Sequence, residues 1–248
     1  MIRIAPALTA LTLLAAPVAA LDLNTMTDAE REAFRAEVRA YLLENPEVII
    51  EAVSLLEQRQ AQAEAMADKQ LIADYADEIF DDGYSWVGGN PDGDITLVEF
   101  LDYRCGYCRR AFPEVTKLMH ADGNIRMIIK EYPILGEAST QLSRFAIATK
   151  QIEGADAYKE VHDTLMSFNG EPTEVALRRL ADGLGMDADA ILIQMEHPDV
   201  EIEIERSRSL ARKLKISGTP SFILEDELLR GFLPADQMAA IIAELRAE

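Results

Sequence analysis

The chain has 248 residues, 49% of them apolar, which is enough for one large domain or for one domain with a smaller module. It carries 44 acidic and 24 basic side chains, a formal net charge of −20. This balance argues against a nucleic-acid-binding protein, because the repulsion from phosphates would dominate.

The first twenty residues predict a secretory signal peptide. Arg3 supplies a basic start, an apolar run follows, and Val18-Ala19-Ala20 provides the small residues of a cleavage site. We expect cleavage after Ala20 and export to the periplasm. The alternative is an uncleaved membrane anchor, but the run is shorter than the roughly 20 residues of a spanning helix and contains Pro6 and Pro17.

Residues 21–88 predict an N-terminal helical region. Thr27 and Glu30 have the spacing of a capping box, and Asn45-Pro46 breaks the first helix and starts the second. The second helix carries a seam at three- and four-residue steps, which is typical of a helix–helix contact. It is either an amphipathic helix lying on the main domain or an oligomerisation stalk. The seam consists of Ile49, Val53, Leu56, Gln60, Ala63, Ala67 and Leu71.

Residues 89–248 predict an α/β domain. A buried strand over 94–101, a helix over 105–120 and a strand over 125–130 indicate a parallel pair with a right-handed crossover. A helical block follows over about 138–216. The chain then predicts an antiparallel strand pair over 221–224 and 228–232, and a helix over 234–247.

The chain contains two cysteines, Cys105 and Cys108. A disulfide between them closes too short a loop to stabilise the fold much. A structural zinc ion needs about four ligands, and His120, His162 and His197 lack ligand spacing relative to the cysteines. We interpret these histidines as ordinary surface or helix residues. The cysteine pair is therefore predicted to be reactive, with no bound metal.

The predicted helix places Cys105 at its N-terminus, where free backbone N–H groups and the helix dipole favour the thiolate. A thiolate is the attacking species in disulfide exchange. Cys108 lies one turn later and is placed to resolve a mixed disulfide. The redox group is then the cysteine pair itself, and we expect no metal or organic cofactor.

The order of strand, Cys-x-x-Cys helix, strand and a late Gly218-Thr219-Pro220 before a hairpin resembles the thioredoxin superfamily. The helical block before this proline is similar to the DsbA branch, in which a helical domain is inserted into the thioredoxin fold. The resemblance covers roughly residues 94–248. It implies a thioredoxin fold with an inserted helical domain, preceded here by the N-terminal helical segment.

The resemblance also implies roles for single residues. Glu99 matches the buried acid beneath the active site and is expected to assist proton transfer to and from Cys108. Pro220 matches the family's cis proline, and Thr219 before it is expected to bind substrate backbone. Gly106 and Tyr107 are also expected to touch substrate. They differ from the Pro-His pair of the strongly oxidising DsbA proteins, so strong oxidation is not implied. Pro113 matches the kink of the active-site helix.

Residues 41–49 resemble the N-terminal region of bacterial ScsC-like and Com1-like envelope proteins, some of which trimerise and isomerise disulfides. The combined prediction is a periplasmic thiol–disulfide oxidoreductase acting on cysteine-containing proteins as oxidase or isomerase. A membrane redox partner would recycle the pair, and the N-terminal helices would form a dimer or trimer. The alternative is an envelope protein that binds Cu(I) with the same two thiolates.

Overall fold

The computed structural model describes residues 25–247, so the predicted signal peptide lies outside the described residues. The described residues divide into two compact units, the first ending at Arg59 and the second beginning at Gln60. Within residues 25–247, none of the helices has the length and apolar character needed to cross a bilayer. The elements are α1 (Asp28–Glu44), α2 (Glu47–Asp74), α3 (Ala76–Phe80), β1 (Trp86–Gly89), β2 (Ile95–Leu101), α4 (Gly106–Asp122), β3 (Ile125–Glu131), α5 (Glu137–Glu153), α6 (Ala155–Ser167), α7 (Glu174–Gly183), α8 (Ala188–Gln194), α9 (Pro198–Lys213), β4 (Ser221–Leu224), β5 (Glu227–Arg230) and α10 (Ala235–Leu245).

The first unit contains α1 and the beginning of α2. The predicted capping box is present, since the Thr27 side chain accepts from the backbone N–H of Glu30 and the Glu30 carboxylate accepts from that of Thr27. The helix ends at Asn45, as predicted, because Pro46 cannot continue it. Large apolar side chains of this unit are exposed, among them Phe34, Val38, Tyr41, Leu43, Ile49, Ile50, Val53, Leu55 and Leu56.

The second unit is built on a five-stranded sheet, counted over the described residues, with the order β1-β3-β2-β4-β5. The pair β2 and β3 is parallel and is connected by α4, as predicted. The predicted hairpin is also present, with β4 antiparallel to both β2 and β5. The helical block over α5 to α9 lies between β3 and β4 in the chain, close to the predicted range 138–216.

The sheet is buried on both faces, which explains the nearly continuous apolar sequence of β2 and β3. On one face Leu97 and Leu101 pack with α4, α5, α6 and α10. On the other, Val98 and Phe100 pack with α9 and with Ile79 of α3. Alternate residues of β2 therefore point to different cores, and Glu99 points to the α4 side.

The second unit begins earlier in the chain than residue 89, the start that the sequence predicts for the α/β domain. Ile72 and Ile79 belong to its core, and β1 pairs with β3 at the edge of the sheet. The sequence Gly88-Gly89 is typical of a turn, but both glycines lie in this strand. Gly88 lies in this strand because the Trp86 ring occupies its side-chain space, where an added Cβ would lie 1.9 Å from a ring carbon.

Candidate active site

The active-site segment runs from the end of β2 into α4. Cys105 is the N-cap of α4 and Gly106 is the first residue of the helix. The backbone N–H of Cys105 donates to the carbonyl of Asp102 at 3.0 Å, and the N–H of Arg109 donates to the carbonyl of Cys105 at 3.1 Å. The first cysteine is thus held where the helix presents its free N–H groups.

The two cysteines have different surroundings. Cys105 is 7% exposed and Cys108 is fully buried, and both are free thiols. The pKa of Cys105 is lowered to about 5, against the opposing effect of burial. The causes are hydrogen bonds with the Cys108 and Thr219 side chains and with the backbone N–H groups of Cys108 and Tyr107. Burial, the bond to Cys105 and the charge of Glu99 raise the pKa of Cys108 far above its usual range. The pair therefore has one thiolate and one thiol at neutral pH.

The segment 218–221 lies across from Cys105. The Thr219–Pro220 peptide bond is cis, as predicted. The Cys105 sulfur lies 3.1 Å from the carbonyl oxygen of Thr219, to which it donates when it is protonated. Among the predicted substrate contacts, Thr219 and Pro220 are thus brought to Cys105, and Gly106 and Tyr107 are exposed beside it.

Glu99 is buried beneath the pair. Its Oε1 has no hydrogen-bond partner in the structure. Burial, the charge of Glu131 and the charge of Cys105 raise the pKa of Glu99 to about 8. Glu99 also lines a cavity of about 290 Å³ between the sheet, α4 and α6. A carboxyl with this pKa can both hold and release a proton near neutral pH.

Sequence reasoning missed a polar cluster behind the segment. Glu131, Tyr103 and Tyr158 are buried together, and the hydroxyls of both tyrosines donate to Glu131 Oε1 at 2.7 and 2.6 Å. The available signal for Glu131 was a carboxyl at the end of a strand that is apolar at four of its seven positions. The predicted strand stopped one residue before it.

The three histidines, predicted to be ordinary surface or helix residues, differ in burial, and His162 lies in α6. His120 and His197 are exposed, but His162 is buried against Tyr103 and Tyr158. Its Nδ1 lies 3.1 Å from the Tyr103 hydroxyl, and burial lowers its pKa to about 3. The imidazole is therefore neutral.

The three arginines of the segment differ in their contacts. Arg109 donates from Nε to the Tyr103 carbonyl and from its terminal nitrogens to Phe168 and Asn169. Arg104 donates to the carbonyl of Gly170. Arg110 is exposed and lies over the Tyr107 ring, 5.2 Å from its centroid. Two of the arginines thus connect the active-site segment to the loop after α6.

Residues 96–243 match the model of the DSBA-like thioredoxin domain. The chain belongs to this family. Residues 30–63 match a second model, the N-terminal domain of the copper resistance protein ScsC. The fold is therefore that of the DsbA-like thiol–disulfide oxidoreductases, and the N-terminal helices are ScsC-like, as predicted.

Solved structures with the same architecture come from several bacteria. A thioredoxin-like oxidoreductase from Silicibacter pomeroyi is 41% identical, with a TM-score of 0.65 over 69% of this chain and 98% of that one. The thiol-disulfide exchange protein alpha-DsbA2 of Wolbachia pipientis is 30% identical, with a TM-score of 0.69 over 74% and 98%. A linker-deletion mutant of Proteus mirabilis ScsC is 26% identical, with a TM-score of 0.67 over 91% and 99%. The last match extends into the N-terminal helices.

The curated relatives that match are longer proteins. The chain is 27% identical over 160 residues to the Na(+)/H(+) antiporter NhaA 1 of Salinispora arenicola. This match covers 63% of this chain and 24% of the antiporter. The chain thus spans about a quarter of the length of the curated relatives it matches.

Proposed function

We propose that this protein is a periplasmic thiol–disulfide oxidoreductase that exchanges disulfides with substrate proteins through Cys105 and Cys108. The observation that carries the proposal is the difference between the two thiols. Cys105 is 7% exposed, lies at a helix N-terminus and has its pKa lowered to about 5, whereas Cys108 is fully buried and its pKa is raised. One cysteine is suited to attack and the other to resolve.

In the oxidising direction, a substrate thiolate attacks Cys105 Sγ of the oxidised pair. The Cys105–Cys108 bond breaks, its electron pair stays on Cys108, and Glu99 supplies the proton that makes Cys108 a thiol. The second substrate thiolate then attacks the substrate sulfur of the mixed disulfide, and Cys105 leaves as a thiolate. The substrate loses two electrons and the pair gains them, so the reaction requires no cofactor.

Substrate backbone is proposed to bind beside Cys105. The Thr219 carbonyl lies 3.1 Å from the Cys105 sulfur, so Thr219 and Pro220 border any chain that reaches this sulfur. The exposed Gly106 and Tyr107 border it from the helix side. These four residues are the proposed substrate contacts. A membrane redox protein is the proposed partner that restores the starting state of the pair.

Insulin reduction and refolding of scrambled ribonuclease test the proposal and separate its two forms. A reductase cleaves the insulin disulfides, and an isomerase, kept reduced, recovers activity from scrambled ribonuclease. An oxidase is detected in a third assay, by the activity that it restores to reduced, unfolded ribonuclease. Cys105→Ser is expected to abolish all three activities. Cys108→Ser is the matched variant, since it retains attack but lacks resolution, and it should accumulate mixed disulfides. Wild-type protein without activity in all three assays would contradict the proposal.

The ScsC-like N-terminal helices favour the isomerase form. The matched family is described as a copper resistance protein, so the second candidate function is Cu(I) binding by the two cysteines. Over the described residues, no group of three or more His, Cys, Asp and Glu side chains is arranged to hold a metal ion. Stoichiometric Cu(I) uptake that survives competition from glutathione and blocks disulfide exchange would favour this candidate.

A further inference from the structure

The structure buries a second carboxyl group close to Glu99. In the parallel register of β2 and β3, Glu99 pairs with Ile129 and Leu101 pairs with Glu131. Because paired residues point to the same face and alternate residues share a face, both carboxyls lie on the α4 side of the sheet. Glu131 is 3% exposed.

The two carboxyls differ in their hydrogen bonds. Glu131 Oε1 accepts from the hydroxyls of Tyr103 and Tyr158, and its Oε2 accepts from Ser143 Oγ at 2.7 Å. The donors come from the active-site segment, α6 and α5. Glu99 Oε1 has no such partner. Hydrogen bonds from three donors favour the ionised form of a buried carboxyl, so Glu131 is the better site for the negative charge.

Tyr103 connects Glu131 to the reacting cysteine. It lies two residues before Cys105, and its carbonyl accepts from Arg109 Nε at 2.8 Å. Its hydroxyl hydrogen is donated to Glu131, so the neutral His162 is the donor in the contact between Nδ1 and the hydroxyl oxygen. Tyr103 is thus held at its backbone and at the end of its side chain.

We propose that Glu131 is a positioning residue for disulfide exchange, which anchors the segment before Cys105 through Tyr103 and controls, by its charge, whether Glu99 is protonated. This inference rests on the proposed function, in which Glu99 supplies the proton to Cys108. An ionised Glu131 repels a second charge at Glu99 and so keeps a proton there for the departing thiolate.

The charged and titratable groups around Glu131 agree with this role. Glu99 on β2 is a like charge, and Lys150 on α5 is the cation that opposes burial at Glu131. Tyr103, Tyr158 and His162 are neutral at physiological pH, because burial raises the pKa of both tyrosines and lowers that of the histidine. The cysteine pair acts on Glu99 from α4. Burial raises the pKa of Glu131 to about 7.

NMR titration of ¹³C-labelled glutamate carboxyls tests the electrostatic part of the proposal on the full-length protein. Glu99→Gln assigns the Glu99 signal. In Glu131→Gln the Glu99 titration midpoint should fall by about one pH unit, since the repelling charge is gone. Glu137→Gln makes the same change at an exposed position of α5 and should leave the midpoint in place. An unmoved Glu99 midpoint in Glu131→Gln would overturn the proposal.

A second pair of variants keeps the Glu131 carboxyl and tests the anchoring part. Tyr103→Phe and Tyr158→Phe each remove one hydroxyl from Glu131 Oε1, but only Tyr103 belongs to the segment before Cys105. We expect the single-turnover exchange rate to fall about tenfold in Tyr103→Phe and clearly less in Tyr158→Phe. Equal rates in the two variants would overturn the anchoring role.

The two ideas fail separately. The NMR midpoint does not depend on turnover, so it is informative for any folded protein. Wild-type protein that exchanges no disulfides contradicts the proposed function. If the wild-type protein is active but the Glu99 titration midpoint is the same in wild type and Glu131→Gln, only the inference about Glu131 is contradicted.

Discussion

At the scale of single residues, the reactivity of the active site depends on whether Cys105 and Glu99 are protonated. The pKa of Cys105 is lowered to about 5 and that of Glu99 is raised to about 8, so the two values lie on either side of neutral pH. The causes also differ. Hydrogen bonds at the helix N-terminus stabilise the Cys105 thiolate, whereas burial destabilises the Glu99 carboxylate. Each residue can be tested by its own titration.

The reduced protein should show a Cys105 thiolate in its ultraviolet absorbance at 240 nm, with a midpoint near pH 5. Cys108→Ala should raise this midpoint, because the hydrogen bond from Cys108 is the largest cause of the lowered pKa. Cys105→Ala should remove the transition. A midpoint near the usual value of 9.0 in wild-type protein would contradict the arrangement at the N-cap.

The same titration affects the stability of the reduced protein. The folded-state pKa of Cys105 lies below its usual value of 9.0, so the thiolate stabilises the native reduced state fully above pH 9. This contribution is lost as the pH falls through 5. The difference in free energy of unfolding between the reduced and the oxidised protein should therefore move against the reduced protein as the pH falls from 9 to 5. Urea unfolding of both forms at each pH measures this difference.

Glu99→Gln is expected to change how stability varies with pH. The pKa of Glu99 rises from 4.5 to about 8 on folding, so the native state retains a proton that the unfolded chain releases. Ionisation then destabilises the wild-type protein between pH 4.5 and 8. Relative to wild type, the variant should gain unfolding free energy across this window, on the order of a few kcal/mol.

Urea unfolding of the oxidised protein, in which neither cysteine titrates, is the appropriate measurement for Glu99→Gln. Glu137→Gln serves as its control, because this side chain is exposed. Parallel stability curves for wild type and Glu99→Gln between pH 4.5 and 8 would contradict the raised pKa.

At the scale of elements, one side chain connects two loops at the active-site edge of the sheet. The buried Asp102 carboxylate accepts from the backbone N–H groups of Arg104, Ile134 and Leu135 at 2.8, 2.8 and 3.0 Å. It thereby joins the segment after β2 to the connection between β3 and α5. The first of these loops leads directly into Cys105, so the position of Cys105 depends on Asp102.

Asp102→Ala leaves these three N–H groups without their acceptor. The expected loss in free energy of unfolding is about 2–4 kcal/mol, since a buried group that loses its partner costs more than the bond itself contributes. Chemical denaturation measures this loss, and Asp182→Ala, at an exposed position, should change stability by less than about 0.5 kcal/mol. Equal stability of the two variants would show that the loops hold their geometry without Asp102.

Many of the helices and strands of the second unit were predictable from the sequence. The apolar run of β2, the cysteine-bearing helix and the second strand follow one another closely, and their periodicities differ clearly. The edge strand β1 was missed because Gly88-Gly89 has turn chemistry and because its pairing with β3 is distant in sequence. Short edge strands depend on such pairing more than on their own residues.

The candidate site was predictable only in part. Cys105 and Cys108 are evident from their spacing, and Glu99, Thr219 and Pro220 came from the family resemblance. Glu131 and His162 were not found, because their importance depends on contacts between β3, α6 and the active-site segment. The helical spacing of His162 with Tyr158 and Leu165 indicates burial but does not reveal the contact with Tyr103.

At the scale of the whole molecule, the two units place their apolar residues differently. The second unit buries its apolar side chains in two cores, whereas the first exposes large ones such as Leu43 and Ile50. An exposed apolar set of this size is typical of an interaction site. The predicted seam of α2 divides accordingly, since its last residue, Leu71, packs against the second core and its first residues, such as Ile49 and Val53, are exposed.

We expect the mature protein to be a dimer or trimer through its first unit. Leu43→Asp and Ile50→Asp should convert it to a monomer, because a buried charge at the interface would be unpaired. Light scattering after size-exclusion chromatography measures the mass, with Gln58→Asp as a control that adds the same charge at an exposed polar position. A monomeric wild-type protein would remove the main reason for favouring isomerisation.

A truncation experiment should follow the observed units. Removing residues up to about 89 would delete Ile72 and Ile79 from the core and also break the ion pair of Asp68 with Arg230 at 2.6 Å. A chain beginning at Gln60 retains all of these contacts. It is the form in which activity can be compared with and without the first unit.

The chain contains a single tryptophan, Trp86. Its indole N–H donates to the Ala155 carbonyl at 2.9 Å, and its ring stacks on Tyr158 at 5.7 Å, the same tyrosine that donates to Glu131. Trp86 also lines the cavity that contains Glu99. The single tryptophan thus contacts a tyrosine that is hydrogen-bonded to Glu131. Its fluorescence should therefore change with the charge of the buried carboxyls beneath the cysteines, without any added label.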